Sequence, residues 1–155
     1  MTTLLYELFF KYYKDQTIDF TSLLTDSNTC ACAAEGGHLE VLQWARQRGA
    51  PWDERTCAMA ALGGHLDILK WARENGCPWD EDTCASAADG GHLDILQWAR
   101  QNGAPWNNWT SEAAIHNAQL DTLKWAVENG CPFDKKEYLD CEIDVEINNW
   151  INSYN

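Results

Sequence analysis

The chain has 155 residues, of which 45% are apolar, so one domain with a core of its own is within reach. Its 24 acidic against 11 basic side chains leave a charge of −13. That balance argues against nucleic-acid binding, which needs Lys and Arg to displace phosphate counterions, and against anionic membrane surfaces.

Residues 1–25 open with LLYELFFKYY and read as an aromatic capping helix and linker. Met1 to Phe10 has neither the basic start nor the small-residue cleavage site of a secretory leader. No apolar run reaches the roughly 18 residues of a membrane span. The seven cysteines are therefore expected to be reduced thiols of an intracellular protein.

From residue 26 a repeat dominates. TCACAAEGGHLEVLQWARQRGAPW begins at Thr29, and related segments begin at Thr56, Thr83 and Thr110, each 27 residues on. The frame divides the chain into units 26–52, 53–79, 80–106 and 107–133. Residues 134–155 form a worn fifth copy in which DVEINNWINSYN, from Asp144, matches HLDILKWARENG, from His65. Self-similarity at this period is the mark of a stacked array.

Each unit predicts two short helices. Asp26, Asp53, Asp80, Asn107 and Asp134 stand where the first helix needs a polar N-cap. Trp52, Trp79, Trp106 and Phe133 precede the last four of these as hydrophobic staples, with Cys57, Cys84, Ser111 and Tyr138 as their expected partners. The turn that follows is Gly36-Gly37, Gly63-Gly64, Gly90-Gly91, then Asn117-Ala118. Because Asn replaces Gly best at positive φ, the first place of each pair is expected to be the left-handed one. The second helix starts near Leu39 and carries Leu39, Leu42 and Ala45 on one stripe at helical spacing, with Val41 and Trp44 beside it. Gly49, Gly76, Gly103 and Gly130 close it, and Pro51, Pro78, Pro105 and Pro132 prevent its continuation. Such a unit cannot bury its stripe alone, so the expected fold is an all-α helical solenoid of stacked helix-turn-helix units.

The units resemble ankyrin repeats. The residues that carry the resemblance are Ala60-Ala61, Gly64-His65, the leucine-rich run from Leu66 to Ala72, and Gly76-Cys77. It covers residues 26–133 well and 134–155 weakly. Ordinary ankyrin units run to about 33 residues, and the missing stretch falls where a β-hairpin finger would lie. The style is that of short ankyrin units in large DNA viruses of amoebae and in some protists. The resemblance implies a non-enzymatic scaffold that binds another protein as a monomer, with no cofactor, no nucleic acid and no membrane. It implies action in the cytoplasm, that of the host cell if the protein is viral. With the fingers missing, the first helix is left to do the binding.

His38, His65 and His92 form a ladder, as do Cys30, Cys57 and Cys84. Equivalent positions in neighbouring units lie about 8–10 Å apart, too far to share a zinc ion or to form a disulfide. The histidines read as turn residues bonding backbone, and the cysteines as small apolar filler. Cys30 and Cys32 are close, but no second pair completes a metal site. The Gly-Gly pairs follow a helix and lack the Lys-Ser/Thr of a phosphate loop. No Ser/His/Asp set has catalytic spacing. The tryptophans at 44, 71, 98 and 125 and at 52, 79 and 106 recur, so they read as packing.

Three places in the first helix vary freely between units. They hold Asn28, Arg55, Asp82 and Trp109; Cys32, Met59, Ser86 and Ala113; and Glu35, Leu62, Asp89 and His116. Their i, i+4, i+7 spacing puts them on one helix face. Stacking demands repetition, so a varying face points to solvent or to a partner. The candidate partner-binding residues are Arg55, Met59, Leu62, Asp82, Ser86, Asp89, Trp109, Ala113 and His116. The alternative is an acidic mimic that occludes a nucleic-acid-binding site on its target. A mixed face favours the first reading and a continuous acidic stripe the second.

Overall fold

The computed structural model describes residues 26–138 and 143–154. The capping helix expected in residues 1–25 lies outside them. The described residues form nine α-helices and one 3-10 turn, with no strand among them. In chain order the α-helices are α1 (Asn28–Glu35), α2 (Leu39–Gln47), α3 (Glu54–Leu62), α4 (Leu66–Glu74), α5 (Glu81–Asp89), α6 (Leu93–Gln101), α7 (Asn108–His116), α8 (Leu120–Glu128) and α9 (Val145–Ser153). The fold is an all-α repeat solenoid.

The first helices α1, α3, α5 and α7 pack directly on one another in sequence order, while each second helix packs on the first helix of its own unit. Composition explains the asymmetry. The first helices meet through Ala and Cys: Ala31, Ala34, Ala58, Ala60, Ala61, Ala87, Cys57 and Cys84 are all buried. Small side chains let helix axes approach closely. The second helices carry one tryptophan per turn of the array, which holds them apart. Their inward stripe, Leu42, Ile68, Leu69, Ile95, Leu96 and Leu123, is wholly buried and fills the space between the two rows.

The first helices start as the sequence predicts at three of five places. Asp80 accepts from Asp82 N at 3.1 Å, Asn107 from Trp109 N at 2.9 Å, and Asp134 from Lys136 N at 3.0 Å. Two differ. Asp53 occupies the cap position without a side-chain cap bond. In the first unit the cap residue is Ser27, although Asp26 still accepts from Asn28 N at 2.9 Å.

The left-handed residue of the turn is the second of each pair, which corrects the expectation for the first. Gly37, Gly64 and Gly91 have φ of 75°, 80° and 71°, and Ala118 has 55°. Gly63 and Gly90 keep φ near −75°. The hydrogen bonds give the reason: His65 N donates to Ala60 O at 2.9 Å and Gly64 N to Ala61 O at 3.3 Å. These are the two bonds of a Schellman motif, which puts the left-handed residue immediately after the C-cap. The first glycine has a different duty. A Cβ on Gly63 would run into the Glu35 carbonyl oxygen of the preceding unit, and one on Gly90 would lie 2.7 Å from Leu62 O. Asn117 takes φ −102° at that place and reaches the Asp89 carboxylate at 2.5 Å.

The fifth copy departs most. Its first helix is reduced to the 3-10 turn Lys135–Tyr138, since KKEY offers no run of small residues to lie against α7. Tyr138, Ile147 and Ile151 nevertheless join Ala114, Ile115, Leu123 and Val127 in one buried cluster.

Candidate functional site

Nine candidate residues fall on three helices and share one surface. Arg55, Met59 and Leu62 come from α3; Asp82, Ser86 and Asp89 from α5; Trp109, Ala113 and His116 from α7. Arg55, Asp82, Asp89, Trp109 and His116 are exposed, and Met59, Leu62, Ser86 and Ala113 are half-buried. The buried Ala and Cys positions between them lock the helices together, so the varying side chains ride on a rigid backbone. Trp109 is 56% exposed, against Ala114 and Ile115 in the core below it. Its placement follows from the Asn107 cap, which fixes the first turn of α7 by accepting from Trp109 N.

The charge on this row is lopsided. The first helices carry Glu35, Glu54, Glu81, Asp82, Asp89 and Glu112 against the single cation Arg55. The acids do not form an unbroken stripe: Arg55, Met59, Leu62 and Trp109 interrupt them. The Asp80 carboxyl at the head of α5 is held above the usual carboxylate range, first by burial and then by the neighbouring Asp82 charge.

The ladders behave as packing residues. His65 Nε2 lies 3.0 Å from Glu35 O and His92 Nε2 lies 3.1 Å from Leu62 O, so each imidazole bonds the backbone of the preceding unit. Cys30, Cys57, Cys77, Cys84 and Cys131 are buried and Cys32 is exposed. Burial pushes the Cys30 thiol up to about 11 and the Cys84 thiol to about 12. The Cys57 thiol hydrogen-bonded beside it and burial push Cys77 up as well. Thiols so raised are poor nucleophiles and poor metal ligands. No cluster among the described residues has the composition to hold a metal ion.

Sequence reasoning missed an arrangement on the opposite row. The staple partners expected for Trp52, Trp79 and Trp106 were Cys57, Cys84 and Ser111 of the following helix. Their rings also meet Trp71, Trp98 and Trp125, at centroid separations of 5.8, 6.0 and 6.0 Å and edge-on angles of 67°, 67° and 63°. On their other side the guanidinium groups of Arg46, Arg73 and Arg100 each stand 4.0 Å from the ring centre. The same three arginines donate to the carbonyls of Ala50, Cys77 and Ala104. In the last copy the expected staple pair is itself aromatic, with Phe133 stacked on Tyr138 at 6.1 Å. A signal for the arginine sandwich existed in the sequence. In the fourth unit Val127 replaces the arginine and Phe133 the tryptophan, so the pair changes together.

Residues 30–73 match the family model for ankyrin repeats in many copies. Those residues are ankyrin repeats. The match covers the first unit and most of the second, and the third and fourth repeat the same caps, turns and core positions. Ankyrin repeats are in general protein–protein interaction modules, and arrays of them are typically non-enzymatic scaffolds. No curated protein matches the chain. No helix of the described residues is long and apolar enough to cross a membrane.

Proposed function

We propose that this ankyrin array is a non-enzymatic binding module whose partner protein docks on the varying face of α3, α5 and α7. The array proper is residues 26–133, and residues 134–155 close its end. The observation that carries this reading is Trp109. A large apolar ring left 56% exposed serves no stacking purpose, because the equivalent places in the other units hold Asn28, Arg55 and Asp82. Interfaces concentrate their energy in a few Trp, Tyr and Arg anchors within a polar rim. Trp109 and Arg55 have that character, and Asp82 and Asp89 between them favour a partner that presents Lys or Arg. The interrupted acidic pattern suits a protein surface better than mimicry of a phosphate backbone, whose charges are evenly spaced.

The test is a paired affinity capture from the native cell, with wild type and Trp109→Ala as baits of equal melting temperature. A protein retained by the first and lost by the second supports the reading. Identical capture by both baits removes it.

A further inference from the structure

α5 packs between α3 and α7 and carries both acidic residues of the proposed docking face, Asp82 in its first turn and Asp89 at its end. We infer that the partner lays an α-helix along α5, with Lys or Arg at two places seven residues apart and small or apolar residues between them. The inference rests on the varying face being the docking surface and names what docks there.

Three observations support that occupant. The first is the spacing of charge. Asp82 and Asp89 stand seven residues apart on one helix. That is close to two turns, so they share a face and lie about 10.5 Å apart along its axis. A helix packed alongside meets that distance with cations at i and i+7. An extended strand would need side chains three residues apart, and those point to opposite faces. Both acids are exposed. Asn117 donates to Oδ1 of Asp89 at 2.5 Å, which fixes that carboxylate and leaves Oδ2 for a second donor. The second observation is relief. Between the two acids, Thr83, Cys84, Ala87 and Ala88 are buried, so α5 shows only the small, half-buried Ala85 and Ser86. Met59 and Leu62 of α3 stand on one side of this shelf, and Trp109 of α7, 56% exposed, on the other. A low strip flanked by larger apolar side chains suits the apolar face of an amphipathic helix. The third is net charge. The first helices carry Glu35, Glu54, Glu81, Asp82, Asp89 and Glu112 against Arg55 alone, so a basic segment is drawn to this row. The described helices of a second copy do not supply it. None carries two cations seven apart: α2 has Arg46, α4 has Lys70 and Arg73, α6 has Arg100 and α8 has Lys124.

The experiment titrates the full chain, labelled with nitrogen-15, and follows the indole N–H signal of Trp109. The probe is a blocked peptide of three heptads built from Gln, Ala and Leu, with Arg at i and i+7 and Ala or Leu at i+3 and i+4. The Trp109 signal should shift saturably. A peptide of the same composition with Arg at i and i+5, which fall on different faces, should bind at least about threefold more weakly. Asp82→Asn and Asp89→Asn keep the side-chain shape, and the second keeps the oxygen that accepts from Asn117, so both should melt as wild type does. Each should weaken the i, i+7 peptide about threefold, as loss of an exposed charge pair does. In each variant one of the two peptide arginines should then be replaceable by Gln without further loss. Absence of a saturable shift into the millimolar range overturns the proposal. So does equal affinity for the two peptides, or equal affinity of wild type and both Asp variants for the first. Cell capture that depends on Trp109 while the peptides fail leaves the face standing and removes the basic helix alone. Capture indifferent to Trp109 removes the face and this occupant with it.

Discussion

The Nε2 atom of His92 lies 3.1 Å from the main-chain oxygen of Leu62, thirty residues upstream in the preceding unit. The bond ties the start of α6 to the end of α3, the helix that presents Arg55, Met59 and Leu62. The same ring packs over Gly64, where an added Cβ would come within 2.7 Å of it. His92→Ala loses both contacts and should cost about 1 kcal/mol in urea unfolding, the net value of one hydrogen bond. His92→Gln should recover most of it, because Gln119 already holds the place in the fourth unit, close to Gly91. Equal losses in the two variants would show that ring packing, and not the bond, joins the units.

Ala118 is the one non-glycine residue with positive φ among those described, at 55°. An L-residue there opposes folding by roughly 1–2 kcal/mol, so Ala118→Gly should stabilise the array by about 1 kcal/mol. Gly64→Ala should do the reverse and more, since strain at φ 80° is joined by collision with the His92 ring. If Ala118→Gly were neutral or harmful in thermal melts, the chain-entropy cost of glycine would outweigh the relief of strain.

The exchange of Arg and Trp for Val127 and Phe133 in one unit implies that Arg100 and Trp106 act as a pair. Guanidinium and ring are 4.0 Å apart at a half-buried site. A double-mutant cycle with Arg100→Val and Trp106→Phe should give a coupling of about 0.5–1 kcal/mol. Additive losses would mean that the arginine contributes only through its bond to the Ala104 carbonyl.

Legibility in the sequence followed physical locality. Period, caps and helix-closing glycines depend on neighbours a few residues away, and Asp80, Asn107, Gly76 and Gly103 stand as their local pattern required. The Gly-Gly turn was misread because its first glycine answers to a carbonyl from the previous unit, Glu35 O facing Gly63, which no local pattern records. The tryptophan pairs were missed likewise: Trp79 closes one unit and packs on Trp98 of the next. Arg55, Asp82 and Trp109 vary between units because exposure frees a residue from repetition. What binds there is not written in the chain, since a partner's surface imposes no period on it.

Asp80 gives a dependence on pH. Its carboxyl is raised from the ordinary 3.8, by burial first and the Asp82 charge second. A carboxyl whose native value lies above its unfolded value binds more protons folded than unfolded between the two. Its contribution to stability therefore falls as pH rises through that window, and above it the ionised group opposes folding. Asp80→Asn keeps a good cap, as Asn107 shows, without the charge. It should melt higher than wild type at pH 7, with the gap closing below the ordinary carboxylate value. A lower melting point at pH 7 would show that attraction between the carboxylate and the α5 N-terminus prevails.

Trp109 and Trp98 separate binding from folding. Trp109 is exposed and touches no repeated partner, so Trp109→Ala should change stability by no more than about 0.5 kcal/mol. As an anchor it should cost about 2 kcal/mol or more of partner affinity. Trp98 is only half-buried, so its loss should fall short of the roughly 3–5 kcal/mol of a fully buried ring. It still packs edge-on against Trp79 and lies under Lys70, and about 2 kcal/mol is expected for Trp98→Ala. Melting and partner titration on both variants decide the assignment. Unfolding by Trp109→Ala would make it a core residue and void the face built around it. Unchanged affinity would make the variation on α3, α5 and α7 neutral drift and send the search for the docking surface to the other row.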